Sequence, residues 1–191
     1  MTAIPYQELE LKAVVPDPAE LIRRLLAGGA SVLLRGDMED RRYDRRNELT
    51  LRDEVLRTRL LSSEDGRRVA ILGWKGPARI SPEGYKLRDE LEYPIEGSVP
   101  PDSLLLALGY SLVHSIQRRI EVFQLGEASV RLEYYPHMDV LVEIEGVPAA
   151  IERAIVTSGI PRDHFMADSL TDFIARFEQR TGQRAVVGQE L

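Results

Sequence analysis

Residues 6–15 alternate between polar and apolar in strand fashion, which places Glu8, Glu10 and Lys12 on one face and Leu9 and Leu11 on the other. The same alternation recurs at Glu90-Leu91-Glu92 and Glu143-Ile144-Glu145. Further extended stretches are expected over 30–44, over 55–63 and 67–75 flanking the hairpin signal Glu64-Asp65-Gly66, and over 85–96. Three more follow at 111–124, 127–135 and 138–146, the first two joined through Leu125-Gly126.

Helical patterns interrupt these strands. Asp17-Pro18-Ala19-Glu20 reads as a helix start, with Asp17 as cap, Pro18 at the first helical position and Glu20 completing a capping box. Leu21, Leu25 and Leu26 supply its apolar stripe and Gly28-Gly29 its stop. A short helix is expected over 101–108 before Gly109, another over 148–158 before Gly159, and a last one from Asp168 or Ser169 to Gly182, bearing Phe173, Ile174 and Phe177. The unit strand, helix, glycine therefore occurs three times, and similar strands restart at Ala30-Ser31-Val32 and Tyr110-Ser111-Leu112. Many antiparallel strands with interleaved helices imply an α+β domain. Eight strands with one polar face each can close into a barrel with a wet interior. The domain is expected over 1–182, with 183–191 as a loose tail.

Composition narrows the function classes. The chain of 191 residues is long enough for one domain with its own core. It contains no cysteine, hence no disulfide framework and no thiolate metal site. No apolar run is long enough to span a membrane, and the N-terminus has neither the basic nor the apolar segment of a signal peptide, so a cytoplasmic protein is expected. A net charge of −6 argues against nucleic acid as a partner. Among the 25 basic residues only Lys12, Lys75 and Lys86 are lysines. A lysine retained in so arginine-rich a chain suggests a need for a compact point charge.

The charged faces admit two readings. Glu8, Glu10, Glu90, Glu92, Glu133, Glu143 and Glu145 alternate with apolar residues, as do Lys12, Arg57, Arg59, Lys75, Lys86, Arg88, Arg118 and Arg131. Solvated sheet faces with cross-strand ion pairs, each contributing roughly 0.2–1 kcal/mol, explain such a pattern. So does a cavity in which carboxylates hold a hard cation such as Mg²⁺ or Mn²⁺ while arginines and lysines hold phosphoryl oxygens. His114, His137 and His164 share no ligand spacing, and no nucleophilic serine motif or phosphate-binding glycine loop is present.

Glu8-Leu9-Glu10-Leu11-Lys12 resembles the opening motif of the CYTH superfamily, the triphosphate tunnel metalloenzymes. The resemblance continues in order through Tyr43-Asp44, Leu56-Arg57-Thr58-Arg59, Lys75-Gly76-Pro77, Arg88-x-Glu90-x-Glu92 and Val142-Glu143-Ile144-Glu145. It implies a closed eight-stranded antiparallel barrel with flanking helices. Glu8, Glu10, Glu133, Glu143 and Glu145 would hold one or two divalent metals. Lys12, Arg57, Arg59, Lys75 and Arg118 would cradle a triphosphate, and Arg88, Glu90 and Glu92 would line the same tunnel. Glu8, Glu10 and Lys12 are the expected catalytic residues, Mg²⁺ or Mn²⁺ the cofactor and a small-molecule triphosphate the partner. The implied activities are triphosphate hydrolysis, the class IV adenylate cyclase reaction, or triphosphate binding without turnover.

The chain departs from the family pattern at three places. Glu133 stands where the family often has Asp. The arginine of a Lys-x-Arg pair falls on Ile120 in a gap-free reading, and a local bulge would be needed to turn Arg119 inward. The basic residue the family often places before Ser-Tyr is missing from Ala167-Asp168-Ser169-Leu170.

Overall fold

The structure, a computed structural model, describes residues 6–95 and 100–188. Residue 96 of the expected stretch 85–96 and residues 189–191 of the expected tail lie outside the described residues. Nine strands run as β1 (Tyr6–Val14), β2 (Ser31–Asp44), β3 (Val55–Ser63), β4 (Arg68–Lys75), β5 (Arg79–Ile80), β6 (Lys86–Ile95), β7 (Ser111–Leu125), β8 (Ala128–Tyr134) and β9 (Leu141–Glu145). Four helices join them: α1 (Pro18–Ala27), α2 (Asp102–Ala107), α3 (Pro148–Ser158) and α4 (Leu170–Thr181).

Eight of these strands form a closed antiparallel barrel in the order β1-β9-β8-β7-β2-β3-β4-β6, with β6 returning to pair with β1. The short β5, which the pattern did not reveal, adds to β6 outside the ring. Two of the three strand–helix–glycine units, β1–α1 and β6–α2, occupy equivalent places in the barrel. Exchanging β1, β2, β3 and β4 for β6, β7, β8 and β9 leaves the circular strand order unchanged. The chain thus builds the barrel from two topologically equivalent halves that meet at the long β2–β7 pairing.

The apolar core lies outside the barrel. Leu11 and Ala13 of β1, Val130 and Leu132 of β8, and Val142 and Ile144 of β9 point away from the barrel axis. They pack with Leu21 and Leu25 of α1 and Ala150, Ile151, Ala154 and Ile155 of α3. Burying each such Leu or Ile contributes about 1.5–3 kcal/mol relative to exposure, as an upper estimate. A second cluster joins Ile116, Tyr135, Leu141 and Phe173, and so fastens α4 to the strands. With the apolar faces committed to the helices, the charged faces turn inward.

Local signals placed most elements. Asp17 caps α1 by accepting from the Glu20 backbone N–H at 3.0 Å. The Glu20 carboxylate does not complete a capping box; it accepts from Arg23 and Arg24 at 2.7 Å instead. The capping box forms at α4, where Ser169 and Asp172 serve each other. In α1 Leu21 and Leu25 are buried whereas Leu26 is 45% exposed, so the apolar stripe is narrower than expected. The C-terminal stretch expected to be loose is pinned down as far as it is described. Val186 pairs with His137, and the Gln117 N–H donates to the Val187 carbonyl at 2.8 Å. No described helix is long and apolar enough to cross a membrane.

Candidate functional site

Strand register brings the charged residues into one space. Glu10 lies opposite Glu145 and Lys12 opposite Glu143 across β1–β9, while Glu8 faces Arg88 and Glu10 faces Lys86 across β1–β6. Lys75 pairs with Glu90, Asp40 with Arg59, Arg42 with Arg57, and Arg131 with Glu143. All belong to the inward face, because antiparallel partners in register share a side of the sheet. Most of them line a cavity of about 410 Å³, among them Glu10, Lys12, Arg57, Arg59, Lys75 and Glu143, with Arg118 beside them. Residues 169–171, at the start of α4, also line it.

Glu8, Glu10 and Glu143 form the centre of the acidic side. Each is buried, and one carboxylate oxygen from each lies within 4.8 Å of the others. All three lysines of the chain serve these groups. Lys12 contacts Glu10 at 3.1 Å and also Glu143, Lys75 contacts Glu8, and Lys86 contacts Glu10 at 2.8 Å. Burial opposes ionisation of Glu8, but Lys75 outweighs it and holds the carboxyl below its ordinary value. Glu143 is pulled well below its ordinary value because Arg131 and Lys12 overcome the same penalty. An oxygen-only donor set without sulfur or imidazole suits a hard divalent cation, so the three carboxylates fit one.

The other expected metal ligands sit differently. Glu133 accepts from Arg118 at 2.9 Å, Arg131 at 3.2 Å and Tyr135 at 2.8 Å, which engages it in a hydrogen-bonded network instead of the trio. Glu145 stays outside the trio as well. Burial, reinforced by Glu8 and Glu143, pushes its carboxyl up to about 7. Glu90 is also raised to about 7, by burial that Lys75 and Arg57 only partly offset.

Arginines dominate the facing wall. Arg57 reaches Glu90 at 2.7 Å and Glu92 at 2.9 Å, passing over Gly73, where an added Cβ would lie 3.4 Å from its Nε. Arg59 and Arg118 share Asp40, each at 2.8 Å. Burial opposes ionisation of Asp40, yet Arg59 and Arg118 hold it well below the usual carboxylate range. Arg88 is anchored at the rim by Asp53 at 2.6 Å. Among the described residues, the buried side-chain N or O atoms without a hydrogen-bond partner are Arg42 Nε, Arg57 Nε, Arg88 Nε and Arg118 Nη1. Every one is a guanidinium nitrogen from a residue that lines the cavity. Buried donors without acceptors are costly, and the same guanidinium groups have further N–H donors with which to hold an anion in the cavity.

The structure thus brings together Glu8, Glu10, Lys12, Arg57, Arg59, Lys75, Arg88, Glu90, Glu92, Arg118, Glu133, Glu143 and Glu145 around one interior. It also supplies members that the sequence reading did not name, Asp40, Arg42 and Tyr135, and gives a place to Arg131, which that reading put on the charged faces without a role. Arg131 contacts both Glu133 and Glu143. Asp44, read with Tyr43 as part of the family pattern, works in the backbone of the rim. It accepts from the N–H groups of Arg45, Leu49 and Thr50 and from the Thr50 hydroxyl, which ties down the loop after β2.

Two departures from the family pattern are confirmed in space. Ile120 is 1% exposed and pairs with Glu133, so it occupies the inward position. Arg119 is not turned inward by a bulge. The irregularities of the β2–β7 pairing lie between Val32 and Leu34 and between Arg42 and Tyr43, and Arg119 reaches Glu64 outside at 3.3 Å. Asp168 pairs with Arg176 at 2.6 Å and brings no cation to the rim.

No family model matches the sequence, and no curated protein matches it by sequence. Solved structures match it in fold. A putative adenylate cyclase from Vibrio parahaemolyticus superposes with a TM-score of 0.72 at 17% identity, covering 88% of this chain and 97% of that one. A protein from Pyrococcus horikoshii gives 0.71 at 24% identity, over 88% and 98% of the two chains. A putative adenylyl cyclase from Hippeastrum, described as having a dominant triphosphatase activity, gives 0.59 at 16% identity, over 94% and 97%. At identities of 16–24% the likeness shows the fold: a closed eight-stranded antiparallel barrel with flanking helices, the CYTH-like α+β architecture that the sequence motifs imply.

Proposed function

We propose that this protein is a metal-dependent hydrolase that removes the terminal phosphate of a linear triphosphate bound in the barrel. The observation that supports it most is the pairing, in one interior, of a buried carboxylate trio with buried guanidinium nitrogens that lack acceptors. The trio Glu8, Glu10 and Glu143 would hold Mg²⁺ or Mn²⁺. When bound, such an ion polarises a phosphoryl oxygen and lowers the pKa of bound water.

The chain's own residues do the rest. Arg57, Arg59 and Arg118 hold phosphoryl oxygens through planar forks, while Lys12 and Lys75 supply point charges beside the carboxylates. Glu133, Asp40 and Tyr135 fix these cations rather than meet the substrate. Phosphoryl transfer needs mainly positioning and charge neutralisation, which this constellation provides before substrate enters. Water attacks the terminal phosphorus in line, the bond to the bridging oxygen breaks, and orthophosphate and a diphosphate leave.

A second reading, cyclisation of ATP to cyclic AMP and pyrophosphate, is supported by the name of the Vibrio structure. Incubating the protein with inorganic triphosphate, thiamine triphosphate and ATP, each with Mg²⁺ or Mn²⁺, separates the two. Orthophosphate is the expected product. Cyclic AMP with pyrophosphate would select cyclisation, and binding without any product would reduce the protein to a triphosphate-binding module.

A further inference from the structure

Arg42 lies on the inward face of β2, opposite Arg57 on one side and His114 on the other. It lines the cavity and makes no hydrogen bond or ion pair among the described residues, and its Nε is buried without a partner. The carboxylate that acts most strongly on it, Asp40, is engaged by Arg59 and Arg118. Burial, together with the like charges of Arg57, Arg118 and Arg88, disfavours the cationic form of Arg42 and pushes its pKa down. An unpaired guanidinium facing three others destabilises the ligand-free protein. It is useful only where an anion completes the group.

The interior is therefore polarised. The trio is neutralised by Lys12, Lys75, Lys86 and Arg131. The leading charges acting on Arg42 are instead Asp40 and arginines. Arg88, held by Asp53, and the rim loop tied by Asp44 fix the wall around it. Arg57, the register partner of Arg42, also carries a buried Nε without an acceptor.

We propose that Arg42, with Arg57 and Arg88, forms an additional phosphoryl-binding pocket on the arginine-rich wall of the cavity, taking one terminal phosphoryl group of the bound triphosphate. This rests on the triphosphate reading above. It also restores a cation to an interior in which Ile120 and Asp168 bring none.

Isothermal titration of inorganic triphosphate and, separately, of Mn²⁺ tests it in four proteins: wild type, Arg42→Gln, Arg42→Lys and Arg41→Gln. Arg41 is the outer-face neighbour, bonded to Glu39 at 2.7 Å and to Asp102. Arg42→Gln is expected to weaken triphosphate binding at least tenfold, to leave the Mn²⁺ affinity within twofold, and to melt no lower than wild type without ligand. A purely structural arginine would instead lower the ligand-free melting temperature. Arg42→Lys is expected to fall between, and Arg41→Gln to bind triphosphate like wild type. If wild type binds triphosphate and Arg42→Gln binds it equally well, the pocket is overturned while the proposed function stands. If wild type binds no triphosphate, the proposed function is overturned and the pocket with it.

Discussion

A buried carboxylate titrates according to its neighbours, and the barrel interior contains both outcomes. Glu8, Glu143 and Asp40 have cationic partners that keep them ionised, so their contribution to stability is present above the unfolded carboxylate pKa and is lost as pH falls. Glu145 and Glu90, raised to about 7, behave oppositely. Their stabilisation is full below the unfolded pKa, about 4.3, and is lost as pH rises through 7. Glu145→Gln, neutral throughout, should therefore raise the melting temperature of the metal-free protein more at pH 8 than at pH 5. An equal effect at both values would show that Glu145 is not held in its protonated form. In the trio, Glu10→Gln should weaken divalent-cation binding and cut turnover at least tenfold, about 1.4 kcal/mol of transition-state stabilisation. Full turnover at limiting metal would remove Glu10 from the site.

At the level of elements, legibility follows from how many faces are polar. In β1 and β9 one face lies beneath α1 and α3 and the other is charged, so alternation displays Glu8, Glu10, Lys12, Glu143 and Glu145 directly. In β2 both faces are polar: Met38, Asp40 and Arg42 point inward, while Asp37, Glu39 and Arg41 point outward. No alternation marks the inner set, and Asp40 and Arg42 stay hidden until register with Arg59 and Arg57 reveals them. Helices α1 and α4 were legible through their caps, and α2 and α3 through the glycine that follows each. The docking of Val186 and Val187 was not, because it rests on backbone pairing that no side chain announces. The rim loop gives a prediction at this scale. Asp44→Ala strips the acceptor from the buried Leu49 N–H and from the Thr50 N–H, and should cost about 1–3 kcal/mol in chemical denaturation and loosen residues 45–50. Hydrogen exchange in that loop unchanged from wild type would contradict the role given to Asp44.

Over the whole molecule, the fold inverts the usual arrangement of charge and core. The apolar residues are spent between barrel and helices, and the interior collects charges whose burial is costly unless something beyond the chain completes them. The fold class was readable from the sequence because the ordered motifs and the repeated strand–helix–glycine unit agree with the two-half barrel. The division of the interior into a carboxylate side and an arginine side was not readable. It depends on which carboxylates the cations choose: Glu133 is drawn to Arg118 and Arg131, away from the trio. A ligand that binds only the folded state stabilises it by RT ln(1 + [L]/Kd), about 2.7 kcal/mol at a hundredfold excess over Kd. For a domain of this size that is a rise in melting temperature of roughly 5–10 °C. Exposed ion pairs would respond only to ionic strength. The most direct test is thermal melting against inorganic triphosphate with and without Mn²⁺, at matched ionic strength. The expected result is a saturable rise, larger with Mn²⁺ and reduced in Arg59→Ala and Glu143→Gln. A melting temperature that millimolar triphosphate and metal move no further than sodium chloride does would contradict a tunnel built to hold both.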